Sequence, residues 1–160
     1  MDARTSFAQD AVFRPEVFFL GRTEGFGVVR DPFGRVIRRC QVVTDGQFNR
    51  GYSAIHFDET FSYDDGEVDV WRWAMSKGRD GQYAAAEATV GAGITGRRLG
   101  DDYALTFKRR MAKSPMRPTF NTRFTQMGPL TALKQAKVSL LGVPMASMTV
   151  VHRRSEAAIG

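Results

Sequence analysis

The segment from Ile55 to Trp73 constrains the fold more than any other part of the sequence. Two arms rich in aromatic and β-branched residues flank Asp64-Asp65-Gly66, and glycine accepts the positive φ that a tight reversal requires. This pattern predicts a β-hairpin. If Asp65 and Gly66 form a two-residue turn, Glu59 lies directly opposite Arg72.

This register places a largely apolar set on one face of the hairpin. The set is Phe57, Phe61, Tyr63, Val68, Val70 and Ala74, interrupted only by Glu59 and Arg72. A buried ion pair loses several kcal/mol of hydration per ion, so an inward Glu59–Arg72 pair suits a polar ligand better than a packed core. A three-residue bulged turn would instead shift the register by one residue and break the pairing.

Segments of the same character recur along the chain and are separated by turns such as Asp31-Pro32-Phe33-Gly34. The sequence therefore predicts an all-β fold, an antiparallel up-and-down barrel of about 8–10 strands. We expect Gln82–Val90 to be a strand because glycines bracket it, and Asp45-Gly46 to begin a reversal. Helix-forming residues from Leu130 to Leu141 follow Gly128-Pro129 and predict one short helix near the C-terminus.

Length and composition favour one barrel domain over residues 1–160, with a loose lead-in at 1–16 and a frayed tail at 155–160. No apolar run is long enough for a transmembrane helix, and the first residues lack the apolar core of a signal peptide. One cysteine excludes an internal disulfide framework, and two histidines do not furnish a familiar metal cage. We expect a cytoplasmic protein with no metal and no cofactor.

Charge is distributed unevenly along the chain. Residues 1–102 contain 13 basic and 16 acidic side chains, whereas residues 103–160 contain 10 basic side chains and a single acid, Glu156. This asymmetry is typical of a positive surface that faces an anionic ligand, an acidic partner or a membrane surface. The alternative is that these cations are solvated outward positions of strands, balanced in the folded protein by the acidic half.

Several spaced motifs resemble a family of uncharacterised proteobacterial lipocalin-like (calycin-type) barrel proteins that are often labelled lipoproteins. The matching motifs are FLGRTEGFG, DPFGRVIRR, HFDETFSYDDG, VWR and QYAAAEATVGAGITG, in this order over about residues 18–107. Within them, the family pattern is carried by Gly25-Phe26-Gly27, Glu59, Phe61, Tyr63, Asp65, Gly66 and Trp71. The resemblance decays at Lys108-Arg109-Arg110-Met111, and the chain has no lipobox cysteine, so the resemblance does not imply a membrane anchor.

The resemblance implies a lipocalin-like barrel that encloses an apolar ligand, but no activity. It also implies a barrel closure in which Phe26 of the first strand packs against Arg153 or Arg154 of the last strand through a cation–π contact. The alternative is a core phenylalanine with two exposed arginines. We expect an apolar or amphipathic anionic small molecule, similar to a fatty acid, as the partner, and no nucleic acid. Candidate ligand-binding residues are Glu59, Phe61, Tyr63, Trp71, Arg72 and Arg109.

Two other classes of function stay open at this point. A barrel enzyme acting on an apolar substrate would use His56 or Glu59 as a base, although no nucleophile stands at a recognisable spacing from His56. An interaction module would use the basic C-terminal half to bind an acidic partner or a membrane surface. The acidic hairpin tip lacks a calcium-loop pattern, and Gly91-x-Gly93-x-x-Gly96 lacks the following helix of a dinucleotide site. Cys40 is expected to be a buried small hydrophobe.

Overall fold

The computed structural model describes residues 11–51, 53–78, 82–110 and 114–155 of the 160-residue chain. These residues form one short helix and ten strands. The elements are α1 (Pro15–Phe18), β1 (Gly21–Arg30), β2 (Val36–Asn49), β3 (Ala54–Tyr63), β4 (Val68–Lys77), β5 (Tyr83–Glu87), β6 (Gly91–Leu99), β7 (Asp102–Lys108), β8 (Thr119–Gln126), β9 (Thr131–Leu140) and β10 (Val143–Arg154).

Each strand pairs antiparallel with the next along the chain, and β10 pairs with β1 to close the barrel. The predicted all-β, up-and-down barrel is therefore confirmed, including the strand at Tyr83–Glu87. Closure gives every strand a neighbour on both sides, so the sheet has no edge strand among the described residues. In the described part of the chain, no helix has the length and apolar character needed to cross a membrane.

Aromatic side chains fill much of the barrel interior because the strands alternate inward and outward residues. On β3 the inward residues include Ile55, Phe57, Glu59 and Phe61, and each of these is almost completely buried. On β4 the indole rings of Trp71 and Trp73 point inward, and their ring centroids lie 5.8 Å apart. Side chains alternate sides along a strand, so the same two-residue pattern that predicted the strands also determines which side chains reach the core.

The segment before β1 closes one end of the barrel. Phe13, Phe18 and Phe19 are buried, and the ring of Phe19 stacks on that of Phe57 with 4.0 Å between centroids. We call residues 13–19 the plug. The phenol of Tyr83, on β5, donates a hydrogen bond to Glu16 Oε1 at 3.1 Å, which connects the plug to the barrel wall. The expected loose lead-in is therefore wrong from residue 13 onward, since these residues pack as a plug. Of the predicted tail at 155–160, only Ser155 is described, and its N–H donates to the Arg22 carbonyl at 3.0 Å. Residues 1–10 and 156–160 lie outside the described residues.

The helix predicted near the C-terminus is wrong, because Thr131–Leu140 is strand β9. Ala132, Lys134 and Ala136 face the interior, whereas Gln135 and Lys137 are exposed, which is the alternation of a strand. Local helix propensity is overridden because β9 pairs along its length with both β8 and β10.

The predicted register of the central hairpin is also wrong by one residue. The Tyr63 N–H donates to the Glu67 carbonyl, and the Gly66 N–H donates to the Tyr63 carbonyl, so Asp64, Asp65 and Gly66 form a three-residue turn. Glu59 consequently lies opposite Trp71, and Arg72 lies opposite Asp58. Glu59 faces the core as predicted, but the slip puts Arg72 on the outer surface, so these two residues do not pair.

The lipocalin-style closure by Phe26 and Arg153 is wrong as well. Phe26 is 73% exposed on the outer wall and lies opposite Val151 of β10, and Arg153 is exposed on the same wall. Gly25 and Gly27 are the inward residues, and a Cβ on either would collide with the backbone of β10. The residue between them must therefore point outward. Arg154 instead donates to the Leu20 carbonyl at 3.4 Å.

Asp45-Gly46 does not begin a reversal but lies within β2. At Gly46 the strand approaches the plug so closely that a Cβ would overlap the carbonyl oxygen of Phe19 and press on the side chain of Phe57. Glycine at this position allows the plug to lie against the wall.

We expect Gly46→Ala to lower the free energy of unfolding by about 1–3 kcal/mol, because the backbone of the plug must move to admit a methyl group. Urea unfolding followed by tryptophan fluorescence measures this change. Gly93→Ala is the matched control, since a Cβ on Gly93 meets no atom within 4 Å. Equal stability of the two variants would show that the plug does not rest on Gly46.

Candidate functional site

A cavity of about 390 Å³ opens at the end of the barrel opposite the plug. Its apolar wall includes Phe61, Trp71, Phe107, Phe120 and Met148. The cavity lies among the strand ends next to the β1–β2, β3–β4, β7–β8 and β9–β10 connections. These connections form its mouth, which we call the rim.

The aromatic residues of the wall contact one another and form a stiff lining. The ring of Trp71 meets Phe107 and Phe120 edge-on, with centroids 5.7 and 5.5 Å apart, and lies 6.2 Å from Phe61. Phe107 and Phe120 stack at 5.3 Å. Such rings present a large apolar surface at low cost in conformational entropy.

A buried ion pair lies beneath the cavity. The ammonium of Lys134, on β9, donates to both carboxylate oxygens of Glu59 at 3.0 and 2.8 Å. The indole N–H of Trp73 donates to Glu59 Oε1 at 3.2 Å. The exposed fractions of the two charged side chains are only 6% and 1%, and Lys134 alone of the pair lines the cavity. Lys134 therefore separates the cavity from the carboxylate.

Below this pair, His152 is completely enclosed. Its Nδ1 lies 3.5 Å from Thr23 Oγ1, which in turn shares a 2.6 Å hydrogen bond with Thr44 Oγ1. Its Nε2 lies 3.8 Å from Glu59 Oε2 and has no hydrogen-bond partner among the described residues. Burial lowers the pKa of His152 from 6.5 to about 4, against the opposing pull of the Glu59 charge, so the ring is neutral at pH 7.

A second charge cluster lies at the side of the cavity. The guanidinium of Arg109 stacks over Trp71, with Cζ 3.7 Å from the ring centroid. It donates to Asp69 Oδ2 at 3.0 Å and to Glu87 Oε1 at 3.1 Å, and Glu87 also accepts a short hydrogen bond from the Thr89 hydroxyl. Two carboxylates and an indole thus fix Arg109 in the wall.

Two further arginines line the cavity nearer the rim. Arg38 lies over Tyr63, with Cζ 3.5 Å from the ring centroid, and forms ion pairs with Asp65 and Glu67. Arg110 is exposed and donates to the Ser114 carbonyl at 3.0 Å. Among the described residues, no carboxylate lies within ion-pair distance of Arg110, which makes it the uncompensated cation of the cavity.

The structure brings four of the six predicted ligand-binding residues to the cavity: Phe61, Tyr63, Trp71 and Arg109. Glu59 is inward but lies behind Lys134, and Arg72 is on the outer wall, 4.0 Å from Asp58. Sequence reasoning missed Lys134, which the assignment of its segment to a helix concealed. The alternation of Ala136 and Val138 with Gln135 and Lys137 was the strand signal, and a period of two puts Lys134 on the same face as Ala136.

His56 does not reach the cavity, because it is exposed on the outer face of β3 beside Asp58 and Arg72, in a shallow groove. At this position, His56 cannot act as a base in the cavity. Cys40 is buried as predicted, and burial raises the pKa of its thiol. In residues 11–51, 53–78, 82–110 and 114–155, no three or more His, Cys, Asp or Glu side chains are grouped to hold a metal ion.

Residues 2–154 match the family described as protein of unknown function (DUF3833). The chain belongs to this family. A search of curated proteins found no match. Among solved structures, the fold is similar to that of the S-type phycobiliprotein lyase CPES from Guillardia theta, with a TM-score of 0.65 and 11% sequence identity. This likeness covers 94% of this chain and 97% of that chain, and it shows that the member of the DUF3833 family shares its barrel fold with that protein.

We expect Lys134→Met to lower the free energy of unfolding by about 3–5 kcal/mol, because it leaves the Glu59 carboxylate buried without its cation. Urea unfolding at pH 7 measures the loss. The double variant Glu59→Leu/Lys134→Met removes both charges and should recover most of the stability. Arg72→Met, on the solvated Asp58 pair, is the control and should change stability by less than about 0.5 kcal/mol. A Lys134→Met variant as stable as that control would contradict a buried pair.

Stability should also depend on pH through His152. Its folded pKa of about 4 lies below the ordinary 6.5, so between these values the unfolded chain binds the proton first. The free energy of unfolding should therefore fall as pH is lowered from 6.5 to 4, and His152 contributes about 3 kcal/mol to that fall.

The measurement is urea unfolding between pH 4 and 8 for the wild type, His152→Phe and His56→Gln. The fall should be smaller in His152→Phe, because phenylalanine takes up no proton, and His56→Gln is the control for the loss of an exposed histidine. An identical pH profile for His152→Phe and wild type would refute the buried neutral imidazole.

Proposed function

We propose that this protein binds an apolar or amphipathic anionic small molecule, similar to a fatty acid, inside its barrel. One observation carries the proposal: a cavity of about 390 Å³ at the unplugged end, walled by aromatic side chains and lined by cations. Its volume falls within the roughly 300–1,000 Å³ that is usual for small-molecule sites.

The wall supports the apolar part of this ligand. Phe61, Trp71, Phe107 and Phe120 offer ring faces and edges, and Met148 offers an adaptable thioether. An alkyl chain placed among these groups would leave water for an apolar surface, which favours binding in proportion to the area covered.

The charges support an anionic head group at the rim rather than at the floor. Lys134 at the floor is already neutralised by two hydrogen bonds to Glu59, and Arg109 by Asp69 and Glu87. Arg110 is the lining cation without an ion pair among the described residues. We therefore place the head group at Arg110 and the chain toward Trp71.

The similar solved structure adds support only at the level of the barrel. Its title names a phycobiliprotein lyase, and at 11% identity the likeness transfers the fold and not that activity. A barrel of this kind with an open, lined end is a suitable container for a small molecule.

The proposal predicts that dodecanoate binds and changes the fluorescence of Trp71, which lines the cavity. Ala136 also lines the cavity and is buried, so Ala136→Phe should fill it and weaken binding about tenfold or more. Ala84→Phe places the same side chain on the exposed face of β5 and should bind like the wild type. Equal affinity of both variants would locate the binding outside the cavity.

The head group is tested with dodecanol, which has the same chain without the charge. Arg110→Gln should weaken dodecanoate binding about two- to fivefold and leave dodecanol binding nearly unchanged. Arg39→Gln removes an equal charge from the outer face of β2 and serves as the control. No binding of either probe to the wild type would overturn the proposal.

A further inference from the structure

The two most exposed large apolar side chains of the described residues both lie at the rim. Leu141, in the β9–β10 turn, is 96% exposed, and Phe33, in the β1–β2 turn, is 86% exposed. Val143, two residues after Leu141, is exposed, and Met116 is exposed in the β7–β8 connection. Single exposed hydrophobes are ordinary, but a group at the tips of turns around one opening marks an interaction site.

Leu141 occupies its turn at an additional conformational cost. Its φ is +50° and that of Gly142 is +79°, which is the geometry of a hairpin turn whose first position normally carries Asn, Asp or Gly. Leucine there is both solvent-exposed and in the left-handed region, which L-residues other than Gly, Asn and Asp rarely adopt. Neither feature helps the barrel to fold, so a role at the surface accounts for leucine better than a role in stability.

These turns lie side by side around the barrel. The strand order β7, β8, β9, β10, β1, β2 is continuous, so the β7–β8, β9–β10 and β1–β2 connections occupy one side of the rim. We call this side the apolar rim sector and define it by described residues 30–35, 110, 114–118 and 141–143. The β3–β4 turn, with Asp64, Asp65 and Glu67, lies beyond β2 on the other side.

The apolar rim sector is also cationic. Its charged residues among those described are Arg30, Asp31, Arg35, Arg110 and Arg117. Asp31 neutralises Arg35 through a 2.9 Å ion pair, whereas Arg30 and Arg110 donate to backbone carbonyls. Positive charge thus surrounds the exposed apolar tips, and negative charge collects on the opposite side of the mouth.

We propose that the apolar rim sector docks on the surface of an anionic lipid bilayer, with the cavity mouth facing the lipid. Isolated apolar tips ringed by arginines suit a soft, negatively charged interface, into which each tip inserts separately. A protein interface has a contiguous apolar core, whereas the exposed apolar side chains of this sector stand on three separate connections. The acidic β3–β4 turn is repelled by the same surface, so the barrel tilts toward the apolar rim sector.

This inference goes beyond ligand binding and stands independently of it, because docking requires no occupied cavity. Failure of dodecanoate binding therefore leaves the docking test intact, and failure of docking leaves the cavity intact.

The test is co-sedimentation of the full chain with vesicles of phosphatidylcholine and phosphatidylglycerol in equal parts, without added ligand. The double variant Phe33→Ser/Leu141→Ser should bind at least about tenfold more weakly, because it removes two inserted side chains. The matched control is Leu20→Ser/Phe48→Ser, which removes a leucine and a phenylalanine that are 42% and 43% exposed at the plugged end. The control should bind like the wild type.

Charge is tested with Arg117→Gln, which should weaken vesicle binding about fivefold. Binding of the wild type should also fall in vesicles of pure phosphatidylcholine and at high salt. Circular dichroism checks that each variant is folded, which is expected because the substituted side chains are exposed. Absence of binding by the wild type, or equal binding by the two double variants, would overturn the inference.

Discussion

The buried contact between Glu59 and Lys134 divides the interior of the barrel into two unlike halves. On one side of this ion pair, Lys134 lines an open cavity, and on the other side the carboxylate lies close to the enclosed ring of His152. Removing two charges from water is costly, and the pair tolerates this cost because both carboxylate oxygens and the Trp73 N–H are engaged. The ion pair therefore forms the floor of the cavity and lies between the cavity and His152.

The lower half is filled by the plug together with inward side chains of the strands. Three phenylalanines of the segment before β1 occupy the end of the barrel, and Gly46 lets β2 approach that segment within van der Waals distance. The plug resolves a problem that a ten-stranded barrel creates, because its circumference is larger than inward side chains alone can fill. The end opposite the plug contains the cavity. Because the plug occupies the other end, a small molecule can enter the barrel interior at the cavity end.

Local signals predicted most of the fold, and the hydrogen-bonded pairing of whole strands explains the errors. Alternation and glycine turns identified the strands, but Asp64-Asp65-Gly66 is compatible with turns of two or three residues, and only pairing along the whole of β3 and β4 selects the longer one. Helix propensity misassigned β9 because propensity is a property of single residues and does not include the pairing of β9 with β8 and β10 on its two sides. Phe61, Tyr63 and Trp71 were predicted at the cavity despite the slip, whereas the partner of Glu59 was predicted as Arg72 and is Lys134, from a strand 75 residues away.

The opposite polarity of the two sides of the rim follows from the same chain order. Successive hairpins place the acidic residues of the first half of the chain on the β3–β4 turn and the basic residues of the second half on the β7–β8 connection. Because closure brings β10 next to β1, the basic connection, the uncharged Leu141 turn and the Phe33 turn come together on one side. The uneven charge along the sequence therefore becomes a charge separation across the mouth of the barrel, with negative charge on one side and positive charge on the other. A charged surface acting on such a distribution exerts a torque as well as an attraction, so it orients the cavity and does not only hold the protein near.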